Sequence, residues 1–505
     1  MKIKTIEIHN YKAFYGDKNE IQVDGKNVFI YGENGSGKSS LYYALKDFFQ
    51  SSMEKIDLNE VENIFIDTAN KGKVAIRITF NPDENDRDTD QTMELTSSVS
   101  PINNINIRDA SQLRSFLTYK NLLEVHNIKK GGDINLYPLL VKGVLKHFTP
   151  TGLRKSLGET LFDIEKLLYK LMNTSYNRPR KTREVQSKLN EFNQAFRNLF
   201  TPPTPIAPNP DYILNNTEPI LQYFDKDIQI ELEFHGLAID PNDPDISTLQ
   251  GEVVNLNVKY AGQTISKPHL FLNEARLSAI AISIYLGMIK RLPQLKKMKI
   301  LFLDDLFIGL DLSNRIPLLQ VLEKEFNDYQ IFISTYDKPW YEVVKFYLEG
   351  NSNWKCIDFL ARKNQYGYDQ PLIRYANDGQ TGNHVKRCID IAEDYFNNGD
   401  NKAAGVYLRG AFEFILKRYC KKKGLSVRFD IDIAKLTTED YWRAIKDFKS
   451  VEPGKCMLTS TIISDVELYR KFVLNPLCHQ DQTKHESSRE ILKALEVIKK
   501  LDTEL

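Results

Sequence analysis

Gly32-Glu33-Asn34-Gly35-Ser36-Gly37-Lys38-Ser39 follows directly on the apolar run Asn27-Val28-Phe29-Ile30-Tyr31. The order implies a strand, a tight glycine-bearing turn, and a helix beginning at about Ser39. Backbone N–H groups in such a turn point inward and cradle phosphate oxygens. Lys38 has the reach for β- and γ-phosphates, and the Ser39 hydroxyl is a Mg²⁺ ligand in this arrangement. Gly32, Asn34, Gly35, Gly37, Lys38, Ser39 and Ser40 are therefore the candidate nucleotide contacts, with ATP and Mg²⁺ as the expected cofactors.

Outward from that loop, residues 2–9, Asn19–Val23 and Lys73–Phe80 read as strands, and Ser39–Ser51 has helical apolar spacing. Residues 110–126 also read as helical. Ser156–Asn173 and Thr182–Leu199 are amphipathic and flank a basic, proline-containing connection, which predicts a short helical hairpin. Pro202–Pro210 holds five prolines and reads as extended. Strands are expected at Ile228–Phe234 and Val253–Tyr260, and a helix at Asn273–Lys290. Met298–Leu303 and Ile331–Ser334 read as strands buried on both faces. Past a polar boundary at Gly379–Asn383 the pattern is mostly helical. The predicted domains are 1–150, a hairpin insertion at 151–201, 202–378, and an all-α domain at 379–505.

Composition narrows the setting. At 505 residues the chain is too long for one ordinary core. A net charge of +1 gives no global attraction to nucleic acid, so any such site is a local patch. The five cysteines have wide spacings and no C-x-x-C pair, which suggests neither a disulfide framework nor a zinc site. Neither a signal-peptide pattern nor a membrane-length apolar run is present, and a cytoplasmic protein is expected.

The run Ile300-Leu301-Phe302-Leu303-Asp304-Asp305 is a second nucleotide motif. A buried strand delivers Asp304 towards a magnesium ion, and Asp305 takes the position that polarises an attacking water. Gly309-Leu310-Asp311 follows at the spacing of an ATPase D-loop.

With these motifs the chain resembles ABC-class ATPases of the SMC/RecF-like group, which includes OLD-type and phage-defence proteins. Asn10-Tyr11-Lys12-Ala13-Phe14 is similar to that group's opening element. The resemblance implies an α/β ABC-type P-loop ATPase with a short helical-hairpin insertion, followed by the all-α C-terminal domain. Leu272-Asn273-Glu274-Ala275-Arg276 occupies the place of the family's signature, with Asn273 at the usual serine. Two readings of Asn273 stand: a donor to the γ-phosphate of a second subunit, or a plain helix cap. The first implies a head-to-head homodimer with shared ATP sites, into which Asp311 also enters, and possibly a higher oligomer. Three departures from the family are visible. The catalytic carboxylate is Asp305 rather than Glu, Ser334-Thr335-Tyr336-Asp337 stands where a switch histidine is expected, and no glutamine loop is identifiable beyond Thr118-Tyr119-Lys120.

In the C-terminal region, Arg409 and Glu413 share a helix face, and Asn475-Pro476-Leu477-Cys478-His479 suggests a helix capped by Asn475 with Pro476 in its first turn. An i,i+4 salt bridge and a surface histidine are the plain readings. The pair of motifs also resembles PrrC- and RloC-like anticodon nucleases, which join an ABC-type ATPase to an HEPN-like ribonuclease. That resemblance implies a metal-independent cleavage of tRNA or another RNA. His479 would be the acid or base, Arg409 the stabiliser of transition-state charge, and Glu413 its orienting partner or a proton shuttle. Three functional readings remain open: an ATP-gated ribonuclease answering a phage-encoded trigger, a sensor ATPase that holds and releases a partner effector protein, and a DNA-repair clamp.

Overall fold

The computed structural model describes residues 1–16, 19–81, 90–102, 104–112, 115–118, 134–172, 178–239, 249–291, 298–348, 351–364, 366–375, 382–427, 437–448, 458–478 and 487–505. The chain divides into two compact units, Met1–Asn377 and Asp378–Leu505.

In the first unit, strands β1 (Lys2–His9), β2 (Glu20–Gln22), β4 (Ala75–Asn81) and β5 (Gln91–Thr96) form an antiparallel sheet in the order β2-β1-β4-β5. Strand β3 (Asn27–Gly32) belongs to a different, six-stranded sheet with β6 (Phe116–Thr118), β10 (Ile300–Asp304), β11 (Gln330–Thr335), β12 (Trp354–Lys363) and β13 (Asp369–Tyr375). Its order is β13-β12-β3-β11-β10-β6, parallel except for the β12–β13 edge. A third sheet holds β7 (Ile228–Phe234), β8 (Val254–Tyr260) and β9 (Gln263–Thr264).

The central strands show why their sequences run apolar without polar alternation. Phe29, Leu301, Leu303, Ile331 and Ile333 point into one hydrophobic core, while Val28, Ile30, Ile300, Phe302 and Phe332 point into another. Side chains alternate across a strand, and both faces are covered, so every position is apolar. The buried side chain of Gln330 ties the two large sheets together. Its Oε1 accepts the Ile3 N–H at 2.6 Å, and its Nε2 donates to the carbonyls of Ile3 at 2.9 Å and Lys26 at 3.0 Å.

One expected element differs. Over residues 110–126 the structure places a helix at Ile105–Gln112 and then strand β6; residues 119–126 lie outside the described residues. The open edge of β10 captures this segment, with Phe302 N–H donating to the Ser115 carbonyl at 2.8 Å. Tertiary pairing outweighs local helical spacing. The amphipathic helices Leu157–Met172 and Arg178–Asn198 pack on each other, and their apolar stripes join the main core.

The described elements of the second unit are helical: Gly382–Asn397, Asn401–Lys423, Thr438–Asp447, Ser460–Tyr469 and Ser488–Glu504 are the longer ones. Leu408, Phe412, Ile415 and Leu416 form the buried face of the second helix. Trp442 is fully buried, with its ring 6.0 Å from that of Phe412. Trp442→Ala is expected to cost this unit about 3–5 kcal/mol. Chemical denaturation followed by circular dichroism should show an early transition carrying only part of the helical signal.

Candidate functional site

The phosphate loop, the Asp304 strand and β11 meet at the carboxyl ends of parallel strands, where open α/β sheets place their ligands. The sharp turn leaving β3 depends on glycine. Gly37 has φ of 99°, a left-handed conformation, and a β-carbon there would lie 2.5 Å from Pro371 on β13. Gly32 has no room for a β-carbon either, since Ser36 Oγ fills that space. The helix Lys38–Gln50 then begins, one residue before its expected start. Glu33, Asn34 and Gly35 are exposed at the crest of the turn. Ser40 accepts the Ala13 N–H at 3.3 Å, so the loop is braced by the segment after β1.

Lys38 is buried, and its ammonium donates to the carbonyls of Gly32 at 2.6 Å and Glu33 at 3.2 Å. Burial lowers its pKa, and Asp305 and Asp304 act in the opposite direction. Ser39 Oγ lies 3.2 Å from Asp304 Oδ2, although the two are 265 positions apart in sequence. Asp304 and Asp305 both have raised pKa values, chiefly through burial. Hydrogen bonds from Ser334 and Ser39 pull Asp304 back, and for Asp305 the Lys38 charge does so.

Asp305 is held in an unusual backbone state, with φ of 52°. Left-handed backbone is uncommon for a residue with a β-carbon. Its N–H reaches both the carbonyl and the hydroxyl of Ser334, each at 3.2 Å. Ser334 Oγ in turn donates to Asp304 Oδ1. One fully buried serine thereby fixes both acidic residues. Ser334→Ala is expected to lower kcat about tenfold and to weaken Mg²⁺-dependent nucleotide binding about a few-fold, because it removes one of the two acceptors of the Asp305 N–H and the hydroxyl that bonds Asp304. Steady-state ATP hydrolysis measures this directly.

Two buried polar atoms at the site have no partner among the described residues: Ser36 Oγ and Asp305 Oδ1. Buried polar groups are normally satisfied, so these mark where a ligand or its water would bond. The donor set fits ATP with Mg²⁺: backbone and Lys38 for the phosphates, Ser39 and Asp304 for the ion.

Asp311 caps the helix Leu312–Glu325, accepting from Asn314 N–H at 3.1 Å and Ser313 Oγ at 2.9 Å. Asn273 caps Glu274–Arg291 in the same way, its Oδ1 accepting the Arg276 N–H at 2.9 Å. In the single chain its side-chain oxygen thus serves as a helix cap. Two further roles escaped the sequence reading. Arg315 bonds the Leu310 carbonyl at 2.8 Å and Asp337 at 2.6 Å, linking the D-loop to the segment after β11. No motif announces Arg315, and the sequence marks Ser334 only as part of the run at the switch-histidine position; strand adjacency reveals its bonds to both acids.

In the C-terminal unit, Arg409 Nε bonds Glu413 at 3.2 Å and Arg409 Nη1 bonds Asn475 Oδ1 at 3.0 Å. Thr438 also donates to Glu413, at 3.0 Å. His479 lies outside the described residues. Asn475 is no helix cap, in correction of the sequence reading. It has helical φ and ψ of −66° and −48° and continues a helical path from Ser460 through a π-turn at Arg470–Leu474. Pro476 has no N–H to give and its ring crowds the preceding turn, so the wider π-turn before it lets the helix continue.

Residues 2–350 match the family described as RecF/RecN/SMC N terminal domain. The chain belongs to that family. As a member of the RecF/RecN/SMC family it is an SMC-like ATPase, and residues 32–39 and 304–305 lie within the matched span. A 99-residue stretch is 29% identical to "Endonuclease GajA" of Bacillus cereus (strain VD045), covering 20% of this chain and 17% of that protein. Two solved structures are similar, each with a TM-score of 0.40. One is an SmcHead bound to the C-winged helix domain of ScpA, at 13% identity over 75% of this chain and 100% of that one. The other is an Smc head domain with an extended coiled coil, bound to the C-terminal domain of ScpA derived from Pyrococcus furiosus, at 12% identity over 78% and 99%. Among the described residues no helix is long and apolar enough to cross a membrane, and no group of three or more His, Cys, Asp or Glu is placed to hold a metal ion.

Proposed function

We propose that this chain is an ATP-driven switch whose nucleotide state controls a metal-independent endoribonuclease in its C-terminal unit, acting on tRNA or another RNA in anti-phage defence in the cytoplasm. Two copies would share ATP sites, with Asn273 and Asp311 of each facing the nucleotide of the other. Mg²⁺, when bound, would screen phosphate charge and withdraw electrons from the γ-phosphoryl group. Ser39 and Asp304 would hold it. Lys38 would exchange its bonds to Gly32 and Glu33 for phosphate oxygens. Asp305 would orient the attacking water through the oxygen that has no protein partner, while Ser334 keeps its backbone in place.

The observation that carries the nuclease reading is the bond from Arg409 to Asn475, which joins the R-x-x-x-E helix to the segment leading to His479. In that reading His479 takes the proton of the ribose 2′-OH as its oxygen attacks phosphorus, the bond from phosphorus to the 5′-oxygen breaks, and that oxygen takes a proton from water. A 2′,3′-cyclic phosphate results, and Arg409 stabilises the charge that builds on the phosphoryl oxygens. Likeness to a protein named an endonuclease supports coupling to nucleic-acid cleavage. The reading in which a separate effector docks here draws on exposed Leu468 and Phe472, four residues apart on one helical path.

Purified protein incubated with total bacterial RNA, with and without ATP–Mg²⁺, tests the proposal. Discrete fragments are expected from the wild type and none from His479→Ala. Equal patterns from the two proteins would reject the nuclease and leave effector docking.

A further inference from the structure

The face of Leu157–Met172 that points away from the core carries large apolar side chains. Leu157, Leu161, Ile164, Leu168 and Leu171 fill the core side. Opposite them stand Phe162, 63% exposed, and Tyr169, 68% exposed, with exposed Lys166 between them at helical spacing. Positions i, i+4 and i+7 share a face. Both rings are largely exposed, on a helix whose other side is packed into the core.

The same hairpin is basic at the end where its helices connect. Arg180 and Arg183 are exposed near the start of the second helix. Among the described residues Arg180 and Arg183 make no ion pair; Lys166 acts electrostatically on Asp163, which Lys155 pairs directly, and Lys188 pairs with Glu191. The chain as a whole carries only +1, so this is a local concentration of cation and not a global one.

Aromatic rings interleaved with cations suit one partner chemistry. Bases of a single strand have free π-faces that stack on Phe and Tyr, and the phosphates between them pair with Lys and Arg. A duplex hides its base faces and would use only the cations. We infer that the outer face of this hairpin, through Phe162, Lys166, Tyr169, Arg180 and Arg183, binds single-stranded nucleic acid. This surface lies outside the ATP site and the Arg409 cluster, and the inference does not depend on cleavage.

Fluorescence anisotropy on the full chain tests it, with a labelled uridine oligomer, the matching thymidine oligomer and a duplex of equal length, over a series of salt concentrations. Phe162→Ala with Tyr169→Ala is expected to weaken single-strand binding about tenfold or more and leave the salt dependence unchanged. Arg180→Glu with Arg183→Glu is expected to flatten that dependence, since fewer counterions are released. ATP hydrolysis should persist in both double variants, which shows that they are folded. The thymidine oligomer has no 2′-OH to attack and reports binding without cleavage, so failure of the ribonuclease proposal and failure of this one are separable. Undiminished single-strand binding by both double variants, preference for the duplex, or no binding by the wild type would overturn the inference.

Discussion

Asp305→Asn is expected to reduce ATP turnover by about two to four orders of magnitude while nucleotide affinity changes by only a few-fold. The amide keeps the size of the carboxylate and leaves the backbone bonds to Ser334 in place. It removes the charge that would orient water and accept its proton. The same substitution should raise the melting temperature of the nucleotide-free protein. Burial raises the Asp305 pKa above its unfolded value, so the folded state holds the proton more tightly than the unfolded chain does. The ionised carboxylate therefore costs stability at neutral pH, and the cost disappears as pH falls through the folded value. The thermal gain in Asp305→Asn should be full at neutral pH and shrink on acidification. Hydrolysis assays, nucleotide titration and thermal melts at several pH values check each part. Turnover equal to that of the wild type would remove Asp305 from the reaction.

Lys38→Ala should act chiefly on nucleotide affinity, and it should lower the melting temperature that Asp305→Asn raises. Removing a buried cation that pairs with phosphate typically costs about 3 kcal/mol, equivalent to roughly a hundredfold loss of ATP affinity. It also leaves Asp304 and Asp305 without the nearby charge that offsets their burial. Truncation also loses the ammonium's bonds to the Gly32 and Glu33 carbonyls and the packing of its buried stem, so the empty protein should melt earlier than the wild type at neutral pH even though burial of the charge is itself a cost. Combining Lys38→Ala with Asp304→Asn should restore part of the melting temperature but none of the ATP binding. Calorimetric titration with a non-hydrolysable ATP analogue, beside thermal melts, separates the two effects. Unchanged affinity would mean that the loop does not grip phosphate through this residue.

These two residues were legible in the sequence because their chemistry is local: a loop of fixed spacing and a strand ending in two acids. Central strands were legible as unbroken apolar runs, since burial on both faces leaves no alternation to confuse them. What escaped depends on neighbours distant in the chain. Ser334 matters only because β11 lies beside β10, an adjacency that no spacing encodes. The segment 116–118 is a strand only because β10 offers it an open edge. Asn475 looked like a cap because a proline followed it, and the π-turn that lets the helix run on depends on backbone adjustments invisible to residue periodicity.

The strand order also bears on biosynthesis. Strand β3, which carries the phosphate loop, has β11 and β12 as its sheet neighbours, from residues 330–335 and 354–363. A nascent chain therefore keeps an apolar strand unpaired until roughly 300 further residues have been made, about 15–60 s at ordinary elongation rates. During that interval the ribosome holds a sticky intermediate in need of chaperone cover, and a truncated product ending before β11 would be unable to grip nucleotide. The helical unit beginning at Asp378 emerges only after β13 has closed the sheet edge. Translation thus delivers the regulator before the part we propose it restrains.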